Sequence, residues 1–405
     1  MHTSKKVLLV IPHMVGGGAE RVSSQIINNM NSKGYDTTYM LTSSKKHEVI
    51  RTDLDDNTPL VLLSEELKTE TTIEKLCYLP QKFLSVFFGK LYEKRGKFCP
   101  AWVGKMTIMW QYHREIAYIR SFLKANPTMS VIAFSQPAMP IVALAAQNLP
   151  NTVILSERAD PNMLMKKRYG KNFIQKYYAR ADRMVFQTYD AKAVYPKNVG
   201  DKGVVISNPI KAGLPQPYFG ERNKIITTFC RISKQKNLSV MVEAFSKIYA
   251  EFPEYTLRII GDAPNSDDKK ELANVKALID KLHLNDAVKF EPFMSNVHEA
   301  IIKDAMYVSS SDYEGISNAM LEAMAIGMPT VCTDCPIGGA KATIKDGENG
   351  LLVPIKDPQA LYDAIKRVIV EDGLSERLSH NAAKLREELS LSKTTDKWIA
   401  LLGEE

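Results

Sequence analysis

Short, almost purely apolar runs alternate with longer stretches of helical periodicity along the whole chain, and one proline-rich break divides the series in two. The first run, VLLVIP at 7–12, is followed by a glycine turn at 16–18 and then by apolar residues at helical spacing over 19–33. An uninterrupted apolar run of that length suits a strand whose sheet is covered on both faces. Comparable runs lie at 37–41, 60–63, 131–134, 153–155, 184–187 and 204–206. Residues 207–223, SNPIKAGLPQPYFGERN, hold three prolines and two glycines without periodicity and read as a linker. Beyond it, strands are expected at 225–230, 255–261, 288–290, 307–309, 329–332 and 351–353. Helices are expected at 238–252, 269–282, 317–326, 358–371 and about 374–402.

This alternation implies an α/β protein of parallel sheets with helices on both faces. Two such series imply two doubly wound, Rossmann-like domains with a ligand cleft between them, for which 405 residues suffice. The expected division is 1–208, interrupted by a helical insertion at 66–120, then 209–385. A C-terminal helix over 386–405 is expected to pack back toward the first domain.

Composition narrows the classes. With 45% hydrophobic and 24% charged residues, the chain is neither disordered nor fibrous. No apolar run reaches transmembrane length, and the start lacks the apolar core of a signal peptide. Five irregularly spaced cysteines make no disulfide framework, so a cytoplasmic location is expected. The net charge of +7 is uneven. Residues 1–208 hold 29 basic and 17 acidic side chains (+12), and 209–405 hold 24 and 29 (−5). Residues 81–120 alone hold eight basic and two acidic residues among nine aromatics, a field that suits an anionic partner. No nucleic-acid-binding module is recognisable.

The stretch 311–329, SDYEGISNAMLEAMAIGMP, carries the most chemistry. Ser317 is a good helix cap, which puts Glu314 in the preceding loop and Glu322 near the second turn. Main-chain N–H groups of Gly315, Ile316, Ser317 and Asn318 would then face an anion, with a carboxylate on either side to bind hydroxyls. Those features suit a phosphorylated sugar. Spacing alone fits an amphipathic helix with two solvated glutamates equally well. Arg231 and Lys236, in CRISKQKN at the end of a strand, could hold a diphosphate or form a basic surface loop. Cys332 and Cys335 form a C-x-x-C without a second pair nearby and read as buried or free thiols rather than a metal site. Asp267 and Asp268 read as a solvated helix start. The turn at 16–20 lacks the G-x-G-x-x-G spacing of a dinucleotide-binding oxidoreductase.

Taken together, these stretches resemble the retaining glycosyltransferases of family 4, which have the GT-B fold. FCRISKQKNLSVMVEAF is similar to that family's "G-R-L-x-x-x-K-N" segment, and SSSDYEGISNAMLEAMAIGMPTVCTD to its E-x7-E signature. DGENGLLVP and GGGAERV are similar to its "D-G-x-N-G-x-L-V-P" and "G-G-A-E-R" segments, all in the family order. The resemblance implies that Glu314 binds the donor sugar and Glu322 the ribose of a nucleotide-diphosphate sugar. It implies that Arg231 and Lys236 stabilise the leaving diphosphate, that Gly315 to Asn318 contact sugar and phosphate, and that Gly17 and Gly18 let a loop of the first domain approach the diphosphate. The family works without a divalent metal and by front-face attack, so neither a metal nor a covalent nucleophile is expected. Where many members carry a first-domain histidine in "S-E-H", this chain reads Ser156-Glu157-Arg158. That leaves Arg158, Glu157 and His13 as candidate contacts to acceptor or donor.

The expected reaction is therefore transfer of a hexose-type residue, from UDP rather than GDP, with retention, to a saccharide acceptor in surface polysaccharide or glycan assembly. The aromatics Phe83, Phe87, Phe88 and Trp102 with Lys90, Lys94, Arg95 and Lys97 would suit an anionic bilayer. A lipid-linked acceptor at the inner face of the cell membrane is expected on that account. A soluble glucan or sugar phosphate is the alternative acceptor.

Overall fold

The computed structural model describes residues 5–15, 17–43, 53–67, 72–94, 99–165 and 170–403. The chain forms two compact units, residues 1–207 with 391–405, and residues 208–390.

The first unit is built on a seven-stranded sheet. Its strands are β1 (Lys6–Ile11), β2 (Asp36–Leu41), β3 (Leu60–Leu62), β4 (Ser130–Phe134), β5 (Val153–Ser156), β6 (Arg183–Phe186) and β7 (Gly203–Val205), in the order β3-β2-β1-β4-β5-β6-β7. All neighbours are parallel, and Val10 of β1 sits in register with Met40 on one side and Ala133 on the other. The continuous apolar runs follow from this central position. Leu8 and Val10 pack with Ile119, Leu123, Val131 and Ile141 on one face. Val7, Leu9 and Ile11 pack with Ile26, Ile27 and Ile132 on the other. Strand order reverses between β1 and β4. The connection that crosses this point is the helical pair Thr72–Lys94 and Ala101–Ala125, which is the expected insertion. Arg95 and Lys97 lie outside the described residues.

The second unit holds a six-stranded parallel sheet: β8 (Asn223–Phe229), β9 (Thr256–Ile260), β10 (Val288–Glu291), β11 (Asp304–Ser309), β12 (Thr330–Thr333) and β13 (Leu351–Val353), in the order β10-β9-β8-β11-β12-β13. Here strand order reverses between β8 and β11. The two units thus repeat one doubly wound α/β architecture, as the alternation of the sequence requires.

Two segments differ from expectation. Of residues 207–223, read as a linker, those from 208 onward are tied to the second unit. The Arg222 guanidinium donates to the carbonyls of Ile302, Asp304, Tyr218 and Gly327 at 2.5–3.0 Å. Arg386 donates to those of Leu214 (2.7 Å) and Pro215 (2.5 Å), and Ile210 N–H to Leu389 O (2.8 Å). Irregular backbone needs such partners, and two arginines supply them. The stretch 374–402 is three helices rather than one: Leu374–Ala383, Leu385–Glu388 and Leu391–Ile399. Residues 386–390 stay with the second unit, and the chain returns to the first from 391, five residues later than the sequence suggested. The returning helix contributes Trp398, fully buried against Phe134 at a ring separation of 5.9 Å.

Candidate active site

In the second unit, β8 and β11 are neighbours at the point where strand order reverses, and the loops leaving their C-terminal ends run side by side. Crevices of this kind are where open α/β sheets bind ligands. The loop after β8 carries Cys230, Arg231 and a 3₁₀ turn, Lys234–Lys236, closed by Asn237 in the left-handed region (φ 43°) that asparagine tolerates. The loop after β11 carries Ser310 to Ser317. Hydrogen bonds zip the two together: Asp312 N–H to Gln235 O (2.9 Å), Gln235 Nε2 to Tyr313 O (2.7 Å), Asn237 Nδ2 to Asp312 Oδ1 (2.8 Å) and Ser310 Oγ to Lys236 O (2.9 Å).

This frame brings Lys236 and Glu314 together. The ammonium donates to Glu314 Oε1, which also accepts from Ser311 Oγ at 3.1 Å. The two side chains are only 18% and 15% exposed. Burial works to lower the Lys236 pKa, but the adjacent Glu314 carboxylate outweighs it and holds the ammonium above the ordinary lysine value, with Arg231 acting against it. Arg231 itself is largely exposed, its Nε 3.8 Å from Asp268 Oδ2. Asp268 is not solvated as expected. It is buried at the start of the helix Ser266–Lys281, where Asn265 Nδ2 donates to it at 2.7 Å, whereas Asp267 is exposed.

Ser317 caps the helix Asn318–Ala325, its Oγ accepting from Met320 N–H at 3.3 Å. Gly315, Ile316, Ser317 and Asn318 therefore form the N-terminal approach to that helix. Asn318 Oδ1 accepts from Asn208 Nδ2 at 2.7 Å. Gly339 passes so close that a Cβ there would lie 1.4 Å from Gly315 O, and Gly261 would clash with Cys230 O in the same way. Both glycines are thus required by close approach of a neighbouring loop to the site. Glu322 is 4% exposed, and its Oε2 lies 2.8 Å from His298 Nε2. The His298 ring packs edge-on against Phe229, at the end of β8. Spacing did not reveal His298, because it lies on the separate helix Val297–Ile301. Ser233 Oγ is buried in the same loop with no partner among the described residues, a group that a bound ligand could satisfy.

Cys230, Cys332 and Cys335 are free thiols behind the site. Burial pushes all three up, Cys335 to about 11, so they are protonated and unreactive at neutral pH. Among the described residues, no group of three or more His, Cys, Asp or Glu side chains is placed to hold a metal ion.

The first unit brings its candidates together in two groups. After β1, His13 Nε2 lies 3.2 Å from Glu20 Oε1, which raises the His13 pKa. Gly17 N–H donates to the other Glu20 oxygen, and Gly18 begins the helix Gly18–Ser32. Gly16 lies outside the described residues. Glu20 thus organises this turn, a role legible only as the third position of a capping box. After β5, Glu157 is buried. One oxygen accepts the N–H groups of Arg158 and Ala159 at 3.0 Å, and the other accepts Tyr195 OH at 2.6 Å. The Arg158 guanidinium lies over the rings of Phe134 (4.3 Å) and Trp398 (5.1 Å), and its Nε donates to Ser156 Oγ.

The fold defines the GT-B class: two Rossmann-like α/β domains with structural neighbours among glycosyltransferases. Residues 214–385, most of the second unit, match the family model "Glycosyl transferases group 1". An exopolysaccharide phosphotransferase of Streptomyces coelicolor is 28% identical over 227 residues, 55% of this chain and 23% of its own. A relative in Campylobacter jejuni, the N-acetylgalactosamine-N,N'-diacetylbacillosaminyl-diphospho-undecaprenol 4-alpha-N-acetylgalactosaminyltransferase, is 25% identical over 181 residues, 44% of this chain and 47% of its own. The chain therefore spans about a quarter to a half of these curated relatives. In structure, Anabaena HepE in complex with UDP is similar over 98% of this chain and 99% of its own, with a TM-score of 0.75 at 15% identity.

Proposed function

We propose that the protein is a retaining glycosyltransferase of family 4 that moves a hexose-type sugar from UDP to a saccharide acceptor in bacterial glycan assembly. The observation that carries this is the Lys236–Glu314 pair, held beside Arg231 and ahead of a capped helix start at the reversal point of the second sheet. Breaking the bond between the anomeric carbon and the diphosphate puts charge on the leaving oxygens. Lys236, Arg231 and the main-chain N–H groups before Asn318 are preorganised donors for that charge. Glu314 orients Lys236 and takes sugar hydroxyls, and Glu322, set by His298, takes the ribose hydroxyls. HepE, solved with UDP, UDP-glucose and glucose, supports a UDP donor, and the Campylobacter relative supports a lipid-diphosphate acceptor.

The surface of the helical pair supports the lipid-linked reading. Phe83 is 70% exposed and Phe87 53%, with Leu79, Val86 and Trp102 exposed beside them. Phe83, Phe87, Phe88 and Trp102 form a chain of ring contacts 4.9–6.3 Å apart, flanked by exposed Lys82, Lys90 and Lys94. Among the described residues, no helix is long and apolar enough to cross a membrane. This ridge would instead rest on an anionic bilayer surface.

A thermal-shift series with UDP, GDP and ADP, with and without EDTA, tests the donor reading. UDP at about 100 times Kd adds about 2.7 kcal/mol and a shift of a few degrees. A UDP-specific shift unchanged by EDTA is expected, and no shift with any nucleotide would overturn the reading.

A further inference from the structure

The C-x-x-C at 332–335 holds no metal and enters none of the chemistry above, yet one of its cysteines touches the loop that carries Glu314. The ladder between β11 and β12 ends where Ser309 stands in register with Cys332. Two residues further on, side chains take over from main chain. The Ser311 carbonyl accepts from Thr333 Oγ1 at 2.6 Å and from Cys335 Sγ at 3.0 Å.

The local backbone explains why both reach one acceptor. Cys335 N–H donates to Thr333 O at 3.0 Å, a turn closed over a single residue. Alternate residues of extended chain also share a side. Cys332 packs instead in the core with Tyr307 and Leu321. The C-x-x-C spacing thus separates a core residue from one that holds a loop. A carbonyl oxygen has two lone pairs, and here a hydroxyl and a thiol take both. Burial pushes the Cys335 thiol up to about 11, so it keeps its proton and donates. Ser311, Thr333 and Cys335 are all buried, so a lost partner leaves the carbonyl short of a bond that water does not readily replace.

The restraint reaches the site through one residue. Ser311 Oγ donates to Glu314 Oε1, the oxygen that also takes the Lys236 ammonium. Among the described residues both bonds fall on Oε1, which leaves Oε2 for a sugar hydroxyl. Glu314 lies in no helix or strand, and Gly315 follows it, so no regular backbone fixes its carboxylate. Ser311 and Lys236 set its direction. Lys236 is held separately, by the bonds that zip its loop to the loop after β11. Ser311 is held by Thr333 and Cys335.

We infer that Thr333 and Cys335 are positioning residues for the donor sugar, which fix Ser311 and through it the direction of the Glu314 carboxylate. The inference deepens the proposed transferase function and rests on it. A carboxylate that must meet particular hydroxyls needs its own support locked, and the end of β12 supplies that lock.

The test is titration calorimetry of the full chain with UDP, UDP-glucose, UDP-galactose and UDP-N-acetylglucosamine. Thr333→Val keeps the side-chain shape and loses the hydroxyl, and Cys335→Ala loses the thiol. Both variants are expected to bind UDP within about twofold of wild type, while the Kd for the UDP-sugar that wild type binds best rises about fivefold or more. Thr333→Ser and Cys335→Ser keep a donor and should restore that affinity. An unchanged UDP-sugar Kd in Thr333→Val and Cys335→Ala would overturn the inference. Equal loss of UDP and UDP-sugar affinity would mark a merely structural role and overturn it too, as would serine variants no better than valine and alanine. Wild type that binds UDP but no UDP-sugar would take the sugar away from Glu314 and the inference with it. Wild type that binds no uridine nucleotide would instead overturn the donor reading itself, on which the inference depends.

Discussion

Lys236 meets two opposing demands, since burial disfavours its charge and Glu314 restores it. Because its folded pKa is raised, the ammonium is fully charged below the ordinary lysine range, and the pair is lost only as pH rises through the raised value. Glu314→Gln removes the carboxylate and leaves the burial. The alkaline limb of kcat is then expected to move to lower pH. An unmoved limb would assign it to another group. Lys236→Ala is expected to lower kcat by about 100-fold or more, the cost of losing one transition-state donor, and Glu314→Ala by a similar factor, because it removes the carboxylate that holds that donor in place. Near wild-type turnover in a variant with a normal melting temperature would remove that residue from the site. Glu322→Ala should mainly raise the Kd for UDP, read by calorimetry, and His298→Ala should do so more weakly, because it only positions Glu322. The Glu314–Glu322 spacing was legible in the sequence because one capped helix fixes both. His298 was not, because its partner lies 24 residues away on another element. Arg158 was placed correctly at a strand end, but nothing local shows that aromatic rings from β4 and from residue 398 cover its guanidinium.

At the level of elements, the strands were the easiest part to read, since strands in the middle of a parallel sheet are apolar on both faces and appear as unbroken runs. The helical pair was legible as an insertion. Its division of labour was not, because the outer helix exposes aromatics that ordinary amphipathicity would bury. Phe83→Ser with Phe87→Ser is expected to abolish co-flotation with vesicles containing about 30% anionic lipid without changing the UDP shift. Co-flotation equal to wild type would separate this ridge from any bilayer. The break in helix geometry at Tyr112 (φ −135°, ψ 25°) had no sequence signal, since neither proline nor glycine stands there. The helix after Gly373 was over-extended, since continuous helical periodicity hides the point where the buried face changes from one unit to the other.

For the whole molecule, the consequential feature is the return of the chain to the first unit after residue 390. Trp398 is fully buried there, with Thr394 and Thr395 beside it, and Lys33 pairs with Asp396. Trp398→Ala is expected to destabilise the first unit by about 3–5 kcal/mol, seen in calorimetry as a lowered transition, while the second unit keeps its UDP-dependent shift. A single unchanged transition would mean that the helix merely rests on the surface. The same geometry has a temporal side. The seven strands of the first unit leave the ribosome long before the helix that completes their core. Residues 208–390 must be translated in between, on the order of ten to forty seconds at about 5–20 residues per second. During that interval Phe134 and Arg158 lack their covering ring, so the first half of the nascent protein waits, incomplete, for the second to be made.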